Sequence, residues 1–166
     1  MQEQSFDTID RTYSAWHRRH STRRFVGLDR AQLLSMVDLD AALYVEYDDG
    51  TKEPLALIET ARDVGQPYKC ATVTRNLAKR AGVPCYVVLY LCSDSANPAD
   101  PKWHDIKSFR IRRLWPLPEH GWRTVTPEDW AKALLHIRDW ASRRLDQEAA
   151  NDPVWQAAPL QGVLFG

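Results

Sequence analysis

A chain of 166 residues, 44% hydrophobic and carrying seven tryptophans, can bury an ordinary core as one domain, expected over residues 1–150 with 151–166 as a tail. Twenty-two basic residues balance twenty-two acidic ones, so net charge gives no argument for a polyanion partner. Three cysteines without a CxxC pair signal neither a disulfide framework nor a structural zinc site, and no apolar run nears the roughly 20 residues of a membrane span.

In chain order, Phe6, Ile9, Tyr13 and Trp16 form the apolar stripe of an amphipathic helix that Ser5 or Asp7 would cap. A short helical pattern follows in "DRAQLLSMV", with Leu33, Leu34 and Val37 apolar and Asp29 as its cap. Two β-rich stretches then flank Asp48, Asp49, Gly50 and Thr51, which reads as a hairpin. "YKCATVTRNLAKRAG" predicts a helix with Cys70, Val73, Leu77 and Ala81 on its apolar face, ended by Gly82 and Pro84. The unbroken run "CYVVLYL" predicts a strand covered on both faces, so the helix before it makes a crossover between parallel strands.

"SDSANPADP" reads as a loop. After it, "IKSFRIRRLW" predicts an edge strand with Ser108, Arg110 and Arg112 on one side and Phe109 and Ile111 on the other. "TPEDWAKALLHIRDWASRRL" opens on Thr126 as cap and Pro127 at the first helical position, with Trp130, Leu134, Ile137 and Leu145 as its stripe. The order predicts an α/β domain with a mixed central sheet flanked by helices.

Charge distribution says more than net charge. Residues 11–24 hold five Arg, two His and no acid, whereas residues 38–59 hold seven acids and one Lys. Asp40 begins the first hairpin strand and Glu59 lies near the end of the second, so antiparallel pairing lets the two carboxylates converge. Convergent acids need a cation or a proton between them. For Glu59, which follows Leu55, Leu57 and Ile58 in a strand, that partner is either a divalent metal or an arginine, with Arg23, Arg24 and Arg62 at hand.

"VDLDAALYVEY" leading into one strand and "PLALIETAR" ending another in an acid resemble the PD-(D/E)xK nuclease superfamily over residues 29–91. The resemblance implies the restriction endonuclease-like αβββαβ core and a DNA-cleaving site in which Asp40 and Glu59 hold Mg²⁺, replaceable by Mn²⁺, with the Thr60 carbonyl as a further ligand. The pattern places a lysine two residues after the acid, but Ala61 stands there. Some superfamily members move a catalytic residue onto the following helix, and Lys69 is the first choice for such a displaced cation, ahead of Arg75 and Lys79.

Arg18, Arg19, Arg23 and Arg24 are the candidate phosphate contacts, and Lys107, Arg110, Arg112 and Arg113 read as a charged strand edge. No GxSxG elbow, P-loop or GxGxxG occurs. Two readings follow: a Mg²⁺-dependent nuclease acting on DNA, or the same fold without catalysis, binding nucleic acid or protein. In either case the expected setting is cytoplasmic, away from membranes, and the assembly admits a homodimer.

Overall fold

A computed structural model describes residues 12–18 and 21–151, in two compact units divided after Asp40. The first unit contains three short helices, α1 (Thr12–Arg18), α2 (Arg23–Val26) and α3 (Leu28–Gln32). In α1, Tyr13 stacks on Trp16 with ring centroids 6.0 Å apart; the expected partners Phe6 and Ile9 lie outside the described residues. The helix expected in "DRAQLLSMV" is shorter and starts earlier. Gly27 is its N-cap residue, Asp29 falls inside its first turn, and only Ala31 is buried.

The second unit holds a five-stranded mixed sheet in sequence order, β1 (Ala41–Glu46), β2 (Lys52–Arg62), β3 (Cys85–Asn97), β4 (Asp100–Trp115) and β5 (Arg123–Val125). Helix α4 (Thr72–Ala81) connects β2 to β3, which pair in parallel, while every other neighbouring pair is antiparallel. The β1–β2 hairpin turns where Asp49 accepts hydrogen bonds from the Thr51 amide (2.9 Å) and hydroxyl (2.7 Å), with Gly50 at φ 83°. Two strands precede α4 among the described residues, where an αβββαβ order has three.

β3 is covered on both faces, as its unbroken apolar run requires. On one face Tyr86 and Val88 join Ile58, Ile111 and Trp130 of α5 (Pro127–Asn151). On the other, Cys85 packs with Leu57, Ala78 and Val83, and Val87 with Ala71 and Leu89. The α5 start is as predicted: the Asp129 amide donates to Thr126 Oγ1 (3.1 Å), whose hydroxyl donates back to Asp129 Oδ2 (2.8 Å).

Three expectations need correction. The buried face of α4 is Thr74 and Ala78, continuing from Ala71, whereas Val73 and Leu77 are 59% and 42% exposed. Small side chains let the helix backbone approach the sheet, and Thr74 reaches a buried acceptor that no apolar residue could satisfy. "SDSANPADP" is a β-hairpin rather than a loop, because β3 runs on to Asn97 and β4 returns from Asp100, with the Ala99 amide donating to Asn97 Oδ1 (2.9 Å). Nor is β4 an edge strand throughout: β5 pairs with Phe109, Arg110 and Ile111. Its predicted alternation holds, with Phe109 and Ile111 packed towards Trp130.

No described helix is long and apolar enough to cross a membrane.

Candidate functional site

Glu59 is 4% exposed and its carboxylate lies on the α4 face of β2. Lys69 Nζ donates to Glu59 Oε2 at 2.7 Å, and the Thr74 hydroxyl donates to Oε1. The arginines considered as partners are not the ones used. Arg62 is exposed at the end of β2, and Arg23 and Arg24 are exposed in the first unit, where Arg24 lies over the Phe25 ring.

Lys69 comes from an extended lead into α4, three residues before the first helical residue, and not from the helix itself. That lead is pinned from two sides. Asp63, which looks like a solvent-facing acid in sequence, accepts from Arg110 Nε and Nη2, both at 2.6 Å, and caps the turn by accepting from the Gly65 amide (2.9 Å). Arg110 Nη2 also donates to the Gln66 carbonyl (3.1 Å), and Trp122 Nε1 donates to the Pro67 carbonyl (2.8 Å). Paired donors of this kind fix orientation as well as charge.

The Arg110 guanidinium and the Gly65 amide hold the Asp63 carboxyl below its ordinary range. A depressed carboxyl stabilises the fold above the unfolded-state value and loses that stabilisation as pH falls through the folded one. Arg110→Met is therefore expected to lower stability by about 1 kcal/mol at pH 7. In urea melts from pH 7 down towards pH 2 the difference between variant and wild type should shrink; a constant difference would show that the ion pair carries none of it.

Ala61 packs on the same face as Glu59, against the cluster of Ala71, Val87 and Leu89. Alternation along β2 thus puts the residue two beyond the acid where the resemblance places a lysine, and a methyl group fills that place. The ammonium arrives instead from the Lys69 lead. Burial first, and then the negative charge of Glu59, push the Cys85 thiol up to about 11, with Arg75 opposing in part. Arg75 and Glu59 thus both act on this face.

Arg112 belongs to the site, although the alternation of its strand alone marks it as part of a charged edge. Glu59 pairs with Val87, and Val87 pairs with Arg112, so all three occupy one row across β2, β3 and β4. Residues in one row share a face, which sets Arg112 two strand spacings, about 10 Å, from Glu59. Lys69, Arg75, Arg112 and His120 line one open pocket of about 400 Å³ beside the buried acid. Sequence alternation separates Arg112 from Phe109 and Ile111, but only the placement of α4 shows which side it looks into.

Asp40 and Thr60 flank this centre in the chain: Asp40 immediately precedes Ala41, which pairs with Ile58, the residue before Glu59. Asp40 is exposed at the end of the first unit, and Thr60 follows Glu59 opposite Val88. The Arg18 side chain and Arg19 lie outside the described residues. Among the described residues no three His, Cys, Asp or Glu side chains stand together as a metal centre. Glu59 nonetheless retains acceptor capacity: a carboxylate offers about four lone-pair sites, and Lys69 and Thr74 use one each. Mg²⁺ is commonly held by one or two carboxylates plus water and phosphate oxygens, and Glu59 is a donor of that kind. No protein-family model, curated protein or solved structure matches the chain.

Proposed function

We propose that this chain is a nuclease-like protein of the PD-(D/E)xK type that hydrolyses phosphodiester bonds in DNA, with its lysine displaced from β2 to the lead into α4. The observation that carries the reading is the 2.7 Å contact between Lys69 Nζ and Glu59 Oε2 beside a cationic pocket. The order of helix, hairpin, helix and strand supports it, although such an order alone does not fix an activity.

In this reading Asp40, Glu59 and the Thr60 carbonyl would hold Mg²⁺, or Mn²⁺ in its place. The ion would lower the pKa of a bound water and offset charge on the phosphate. Lys69 places a positive charge at the pocket rim, where it stabilises negative charge developing on phosphate oxygens. Thr74 keeps the carboxylate oriented from beneath. Arg23 and Arg24, with Arg18 and Arg19, are the proposed contacts to the DNA backbone, since arginine forks suit phosphate oxygens.

A second reading draws on one specific feature. Both oxygens of Glu59 are already engaged and the residue is 4% exposed, as in an acid kept to order a cationic loop. The protein would then bind nucleic acid or a protein partner without cutting. Incubation with plasmid and single-stranded DNA in Mg²⁺ or Mn²⁺ separates the two. The nuclease reading expects cleavage that falls by about 10²-fold or more in folded Glu59→Ala and Lys69→Met variants. DNA binding without cleavage in either metal would move the assignment to the second reading.

A further inference from the structure

The pocket beside Glu59 contains more positive charge than its own acids balance. Lys69 is matched by Glu59. Glu119, the carboxylate in the pocket wall, accepts from the Arg113 amide (2.7 Å) and from Arg123 Nε (3.0 Å), so its charge is also met. Arg75 and Arg112 remain, and no described carboxylate pairs with either. Arg112 is the more telling of the two because its Nε is buried without a hydrogen-bond acceptor.

Arg110 provides an internal comparison. It stands two residues from Arg112 in β4, and each guanidinium carbon lies 5.2 Å from the centre of the Trp122 ring. The two therefore share the same aromatic support. Arg110 has a bidentate carboxylate in Asp63, whereas Arg112 faces a cavity of about 400 Å³. Leaving a buried donor unsatisfied costs about 1–3 kcal/mol, so the arrangement is better explained by an acceptor that arrives with a ligand.

We propose that this pocket binds the terminal phosphate monoester of a nucleic-acid strand, with Arg112 as the bidentate contact, Arg75 completing the charge and Lys69 as a further hydrogen-bond donor in the wall. Charge counting selects the monoester. A monoester carries about −1.5 to −2 near neutral pH, matching the two uncompensated guanidiniums, whereas an internal diester carries about −1. His120 and the exposed Tyr68 border the same space and offer polar and aromatic contacts to the terminal nucleotide. The nucleic-acid carrier of the phosphate rests on the reading proposed above; the phosphate chemistry rests on the pocket.

The test is fluorescence anisotropy with the full chain and three fluorescein-labelled single-stranded 12-mers, ending in a 5′-phosphate, a 3′-phosphate or hydroxyls alone. Measurements are made in EDTA, so binding is read without hydrolysis. At least one phosphate-ended strand should bind about tenfold or more tightly than the hydroxyl-ended strand. Arg112→Gln should abolish the preference without altering the circular dichroism spectrum, and Arg112→Lys should restore part of it. The proposal is overturned if all three strands bind equally, if Arg112→Gln keeps the preference, or if 5′-AMP binds as tightly as the phosphate-ended strand. Failure of cleavage in Mg²⁺ would remove the nuclease reading and leave this binding result standing.

Discussion

Lys69→Met is expected to destabilise the unit containing the sheet by about 3 kcal/mol, more than Glu59→Gln, which should cost about 1–2 kcal/mol. The asymmetry follows from where the two charges sit. The Glu59 side chain is 5% exposed and the Lys69 side chain 23%. Removing the lysine leaves a carboxylate under the protein surface with the Thr74 hydroxyl as its remaining partner, whereas removing the negative charge lets the lysine turn towards the open pocket. Urea unfolding of wild type, both single variants and the double variant measures the coupling. The double variant should be more stable than Lys69→Met alone, with an interaction energy above about 1 kcal/mol. Strict additivity would mean that the pair is not formed in solution.

Trp130→Ala is expected to have the largest effect on the fold, a loss of about 3–5 kcal/mol. The indole is 7% exposed and touches both sides of the layer between α5 and the sheet, meeting Tyr86 edge-on and Phe109 at a tilt, each with centroids 6.2 Å apart. Ile58, Val88 and Ile111 complete its surroundings. Truncation removes the indole from among these packed side chains, so a cavity term adds to the lost burial. Trp103→Ala is the control: that ring is 69% exposed near the far end of the β3–β4 hairpin, and its loss should stay within about 0.5 kcal/mol. Thermal or urea melts of the two variants decide the point, and equal losses would show that the α5 layer is not the main apolar seam.

Much of the architecture could be read from the chain because local signals and burial agreed. Thr126, Pro127 and Asp129 announce α5, Gly82 ends α4 with φ 70°, and the apolar run from Cys85 marks the strand covered on both faces. The α4 face misled because Val73 and Leu77 look like core residues, while the contact surface is set by Ala71, Thr74 and Ala78, whose size matters more than their hydropathy. The β3–β4 hairpin is hidden because Pro98 and Pro101 suggest a break, yet the chain needs only Pro98 and Ala99 to reverse. At the site, Glu59 and Lys69 were legible as a strand acid lacking its neighbouring cation. Thr74 and Arg112 were not, since each owes its role to tertiary placement: one to the close approach of a helix, the other to register two strands away.

The one parallel ladder in the described sheet sets an order on assembly. β1 with β2, and β3 with β4, are sequence-local hairpins that need only short loops to close. Joining β2 to β3 requires the whole α4 crossover to be in place, the slower kind of closure. Glu59 stands on one side of that join and Arg112 on the other. Arg75 belongs to the crossover and Arg112 to the second hairpin, so neither hairpin alone carries both of the proposed phosphate contacts, and they come together only at the step that commits the chain to the folded state.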